Sequence, residues 1–178
     1  VRLIVDGSGA LFDPMGADRK ALGKVVLRDD IERFEPKALH PGGFILYRNQ
    51  QQNQGLRQLY RKVSMTEEGV LEEWISPDDF FREYGQLVFT VDTDLFIPAG
   101  GRPETINNDN WEKFLDENGT PTARAIVEGA NSFLTPLART ELQKRGVGIM
   151  RDASANKCGV ISSSHAIIAN LLLSHKES

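Results

Sequence analysis

The sequence predicts an α/β fold organised on a doubly wound, mainly parallel sheet. Two observations carry that reading. In the later half, short apolar runs at 95–97, 124–127 and 147–150 alternate with helical patterns at short spacing, the signature of strands joined by helical crossovers. Each run, like the opening run at 1–5, also ends in small or polar residues rather than in a tight hairpin turn. The chain has 178 residues, 40% of them hydrophobic and 26% charged, which suits one soluble globular domain over 1–178 with room for an insertion.

Charge and composition narrow the classes of function. A formal charge of -4 gives no basic footprint, which argues against a nucleic-acid groove. No apolar run approaches the length of a membrane span. The single cysteine, Cys158, cannot form an internal disulfide and agrees with a reducing, cytoplasmic setting. The chain opens inside an apolar run with no initiator methionine; the expectation is an excised piece of a longer polypeptide.

Taken in order, residues 1–5 read as a buried parallel strand, and Asp6-Gly-Ser-Gly9 follows it. Two readings of Asp6 stay open. An acid at such a strand end accepts hydrogen bonds from an adenosine ribose and repels a 2′-phosphate, favouring NAD over NADP; alternatively Asp-Gly is a plain turn. Residues 19–27 suit a short helix. Residues 42–75 fit an α/β repeat poorly and read as a β-rich insertion on the sheet edge, with the Gln- and Asn-rich tract 48–55 as a mobile loop. Ser76-Pro-Asp-Asp79 supplies a cap hydroxyl, a first-turn proline and acids at the positive end of a helix whose stripe is Phe80, Phe81, Tyr84 and Val88.

The strand at 95–97 ends in Pro98-Ala-Gly-Gly-Arg102, a brief helix spans 111–115, and the strand at 124–127 ends in Glu128-Gly-Ala-Asn131. Thr135-Pro136 opens a helix through Lys144 that stops at Gly146. The strand at 147–150 then delivers the stretch Asp152-Ala-Ser-Ala-Asn-Lys-Cys-Gly-Val-Ile-Ser-Ser-Ser164. If helical geometry already holds at Asn156, then Asn156, Val160 and Ser163 lie at i, i+4 and i+7 on one face. That face is either a small-molecule wall or part of a strand-to-helix turn made of ordinary cap residues. In an open parallel sheet all four loops fall on the carboxyl edge, where ligands bind, and small residues there let a ligand approach the backbone.

The wording of these loops is specific. Leu95-Phe-Ile-Pro-Ala-Gly-Gly-Arg-Pro-Glu-Thr-Ile-Asn107, Ile126-Val-Glu-Gly-Ala-Asn131, Asp152 to Ser164 and Asp6-Gly-Ser-Gly-Ala-Leu-Phe-Asp-Pro14 strongly resemble the large NAD-dependent glutamate dehydrogenases, in the family's order. The region 42–74 matches only loosely. The resemblance implies a Rossmann-like nucleotide domain lacking its first strand and Gly-x-Gly-x-x-Gly turn, NAD as cofactor, and oxidative deamination of L-glutamate to 2-oxoglutarate and ammonia. By the same resemblance, Asp6 and Ser8 lie by the adenosine ribose, Ala99, Gly100 and Asn131 line the nicotinamide riboside, and Asn156, Val160 and Ser163 close the glutamate site. It also implies that the catalytic lysines and aspartate belong to a missing substrate domain of the same polypeptide, that the parent is a homo-oligomer, and that these 178 residues alone are inert. No metal site is expected: Cys158 has no second thiol, and it replaces a family glycine. His40 and His175 read as surface residues. The rivals are a phosphoryl-transfer enzyme using Asp6 and a non-catalytic regulatory or assembly module derived from a nucleotide-binding domain.

Overall fold

A computed structural model describes residues 1–25 and 30–174. The chain divides into two compact units, Val1–Val91 and Asp92–Ser178. The fold is mixed α/β, with a five-stranded antiparallel sheet in the first unit and a three-stranded parallel sheet in the second.

The first unit is a meander of β1 (Leu3–Val5), β2 (Gly9–Phe12), β3 (Phe44–Gln54), β4 (Arg57–Thr66) and β5 (Gly69–Ile75), paired in chain order. Side chains alternate between the two sheet faces, and each face has its own core. Leu11, Ile45, Tyr47 and Val63 pack with α1 (Arg19–Val25) and with Ile31, Phe34 and Leu39. Ala10, Leu46 and Tyr60 face α2 (Pro77–Thr90), where Phe80 is fully buried and stacks on Tyr60 with ring centroids 4.3 Å apart. The predicted cap holds: Ser76 Oγ accepts the Asp79 amide at 3.2 Å.

Two expectations fail here. Residues 1–5 do not form a buried parallel strand: Val5 is exposed, and β1 pairs antiparallel with β2 through the Asp6–Gly9 turn. A short apolar run does not reveal strand direction; the partner does, and β2 is itself fixed by pairing with the more distant β3. The tract 48–55 is not a loop. Most of it extends β3, with a bulge between Tyr47 and Gln51 and a two-residue turn opened by Gly55 at φ 63°. Backbone pairing needs no apolar side chains, so the polarity of the tract misleads. The segment 42–75 is β-rich as expected and supplies β3, β4 and β5 of the unit's sheet.

In the second unit β6 (Thr93–Phe96), β7 (Ala123–Val127) and β8 (Gly148–Met150) run parallel with β7 central. Phe96, Ile126 and Ile149 align across the sheet, and Phe114, Ile126, Leu134, Ala138 and Leu142 are buried. The crossover helix α3 (Pro136–Lys144) starts where predicted, with Thr135 Oγ1 accepting the Ala138 amide at 3.3 Å. After β8 come α4 (Asp152–Ala155) and α5 (Lys157–Ser174), and Ile161, Ile167, Ile168, Leu171 and Leu172 of α5 are exposed. No helix among the described residues is long and apolar enough to cross a membrane.

Candidate functional site

Three of the four predicted loops leave the carboxyl ends of β6, β7 and β8, the edge where a parallel sheet binds ligands. The backbone joins them directly. The Ala130 amide donates to the Pro98 carbonyl at 2.7 Å, and the Glu104 amide donates to the Ser132 carbonyl at 2.7 Å. Gly129 lies against the neighbouring loop: a Cβ there would sit 3.4 Å from both Ala99 Cα and the Pro98 oxygen, an ordinary van der Waals contact. Ala99, Gly100 and Asn131 are all exposed beside this junction, and a Cβ added to Gly100 would meet nothing within 4 Å.

The third loop is tied in by two side chains. Asn156 Nδ2 donates to Asn131 Oδ1 at 2.6 Å and, at the limit of a hydrogen bond, to the Gly129 carbonyl at 3.5 Å. The amide pair thereby turns an Asn131 donor and an Asn156 acceptor to other uses, a combination that suits a carboxamide or a ribose. Asp152 Oδ2 accepts the Ser132 amide at 2.9 Å and Oδ1 accepts the Ala153 amide at 2.7 Å. The bond to Ser132, then that to Ala153, holds the Asp152 carboxyl below the usual carboxylate range. Ser132 needs this anchor, because it sits in the left-handed region at φ 54°, as does its partner Glu104 at φ 56°. Such conformations cost energy and persist where surrounding bonds enforce them.

Asn156 does not begin the long helix. It is the C-cap of α4 at φ -100°, ψ 10°, and α5 starts one residue later. The predicted common face of Asn156, Val160 and Ser163 therefore crosses a break between helices. Ser163 is exposed on α5; the side chains of Val160 and Cys158, and all of His175, lie outside the described residues. Among the described residues no three His, Cys, Asp or Glu side chains gather as metal ligands would.

Asp6 and Ser8 belong to the first unit, in the β1–β2 turn, and not to the parallel sheet. Asp6 Oδ1 accepts the Ser8 amide at 2.7 Å, the Ser8 hydroxyl at 2.6 Å and the Gly9 amide at 3.2 Å, while Oδ2 accepts the Ile31 amide at 3.2 Å. Ser8 is only 2% exposed. His40 is exposed, as expected, with Nδ1 3.1 Å from the fully buried Asp13 carboxylate. Sequence reasoning gave no task to Asp152, Glu128 or Arg139. For Asp152 and Glu128, a charged residue beside a run of small ones was the available signal; Arg139, in an ordinary charged helix, carried none.

The loop cluster gathers small and polar residues at the carboxyl edge of a parallel sheet in a mixed α/β fold. The chain belongs to the glutamate/leucine/phenylalanine/valine dehydrogenase family, whose sequence model matches residues 1–177. It is 38% identical over 169 residues, 94% of the chain, to a probable NAD-specific glutamate dehydrogenase of Schizosaccharomyces pombe. It is 35% identical, over 98% of its length in both cases, to glutamate dehydrogenase 2 of Dictyostelium discoideum and to the NAD-specific glutamate dehydrogenase of Saccharomyces cerevisiae. These residues span 14%, 16% and 15% of the three relatives' lengths.

Proposed function

We propose that this chain is part of the NAD-binding domain of a longer glutamate dehydrogenase, contributing the surface on which nicotinamide and glutamate meet. One observation carries the reading. Three loops that resemble the family's cofactor and substrate loops are bonded to one another at the carboxyl edge of a single parallel sheet. Ala99 and Gly100 offer an uncrowded backbone, and Asn131 an amide, to the nicotinamide riboside. Asn156 and Ser163, with Val160, face the substrate. NAD, when bound, supplies the hydride acceptor for oxidation of L-glutamate at its α-carbon; the residues of this chain orient the two reactants and exclude competing poses. Proton transfer belongs to a substrate domain elsewhere in the polypeptide. For Asp6 and Ser8 the proposal is narrower, since a ribose reaching Asp6 would compete with the amides and hydroxyl already bonded to it.

The test is glutamate-dependent NAD reduction by the full-length polypeptide and by the purified 178-residue chain. The reading requires reduction by the first and none by the second. Failure of the full-length protein with glutamate would favour a non-catalytic module. Turnover by the isolated chain would show that the chemistry is not supplied from outside it.

A further inference from the structure

Among the described residues, the most deeply buried charge in the second unit has no part in the site described so far. Glu128, at the end of β7, is 0% exposed, and Arg139 of α3 is 8% exposed. Arg139 Nε donates to Glu128 Oε2 at 3.2 Å, and Nη2 donates to Oε1 at 3.1 Å and Oε2 at 3.0 Å. Both partners also grip the far end of the loop. Glu128 Oε1 accepts the Leu134 amide at 3.2 Å, and Arg139 Nη2 donates to the Leu134 carbonyl at 3.1 Å. The five residues between, 129–133, include Gly129, Asn131 and the left-handed Ser132.

A buried ion pair is a poor source of stability, because desolvation offsets its Coulomb attraction and an apolar pair of similar volume often does as well. What an apolar pair cannot do is bond both the N–H and the C=O of Leu134. We propose that Glu128 and Arg139 are positioning residues that set the path of loop 129–134 and so place Asn131 against Asn156. Their effect on catalysis rests on the proposed function; their effect on the loop does not.

The experiment uses the full-length polypeptide and the double variant E128M/R139M, which removes both charges together and refills the volume with unbranched side chains. Three quantities are read: melting temperature, hydrogen exchange of peptides covering 129–134 without ligand, and kcat/KM for NAD. The expected result is a melting temperature within about 4 °C of the parent, clearly faster exchange confined to the loop, and kcat/KM for NAD lower by about 10- to 100-fold, the scale of a misplaced contact. Unchanged exchange across 129–134 overturns the proposal. A parent that reduces no NAD defeats the functional reading instead and leaves the exchange result to decide positioning. Should the double variant fail to fold, E128D decides: it keeps the charge but draws the carboxylate back from the Leu134 amide. Faster loop exchange at an unchanged melting temperature then supports the proposal, and parental exchange overturns it.

Discussion

Asn156→Ala perturbs the one side-chain bond that closes the three-loop cluster between two predicted ligand contacts. The substitution deletes the 2.6 Å donor to Asn131 Oδ1; the second contact, at 3.5 Å to the Gly129 carbonyl, contributes little at that length. A net hydrogen bond of this kind contributes ~0.5–1.5 kcal/mol, so the ordered position of Asn131 is disfavoured roughly 2- to 10-fold. Asn131 is exposed, and Ala130 and Ser132 remain held by Pro98, Glu104 and Asp152, so the fold has no reason to change. The assay is initial-rate NADH formation by the full-length polypeptide with NAD and glutamate varied in turn, alongside a thermal melt. The expected outcome is a fall in kcat/KM for NAD of roughly 2- to 10-fold, an additional loss in kcat/KM for glutamate, and an unmoved melting temperature. Parental kcat/KM for both reactants would refute the placement of Asn156 between them.

Three further outcomes follow from the geometry. Gly9→Ala puts a Cβ 1.9 Å from the Leu46 carbonyl oxygen; backbone must move, and chemical denaturation is expected to show a loss of about 3 kcal/mol, the upper end of ordinary overpacking. Ser132→Gly relieves a left-handed serine worth ~1–2 kcal/mol of strain against ~0.5–1 kcal/mol of added chain entropy, so the melting temperature holds or rises while Ser132→Val lowers it. Stability against pH should fall on both flanks. Asp152, Asp79 and Glu141 have depressed pKa values, from backbone amides, from Ser76 and Arg82, and from Lys144 and Arg145 respectively; their contribution is present above the unfolded carboxylate value of about 4 and is lost as pH falls through the folded values. Burial raises Tyr47 and Tyr84, so stability is full below the unfolded value of about 10 and declines as pH rises from there towards the folded values. A denaturation series across pH checks both flanks, with Asp152→Ala expected to flatten the acid one.

Local signals carried the parts of this fold that local interactions decide. The Ser76 and Thr135 caps gave both amphipathic helices their starts to the residue, and the apolar runs located β6, β7 and β8 near their observed bounds. Pairing was not legible in the same way. The run at 1–5 has the composition of a buried strand, yet its direction is set by β2 and by the passage of Gly9 against Leu46 of β3. The Gln- and Asn-rich tract hid a strand because its ladder is made of backbone groups and a glycine turn. In the site, the small residues marked the loops that the structure bonds together, but spacing misjudged Asn156, which caps α4 instead of opening α5. Asp152 was given no task because its partner is the Ser132 backbone amide, and Glu128 and Arg139 because they pair from a strand end to a separate helix and also bond Leu134 backbone groups, none of which a side-chain pattern announces.

The central claim is that the loops after β6 and β7 receive NAD at the parallel sheet edge, beside the glutamate-facing loop after β8 that is bonded to them. Hydrogen exchange of the full-length polypeptide with and without saturating NAD tests it most directly. Slowed exchange in peptides covering 98–101 and 129–132, both in the same titration, is the predicted result. NAD binding that leaves those two peptides unprotected would contradict it.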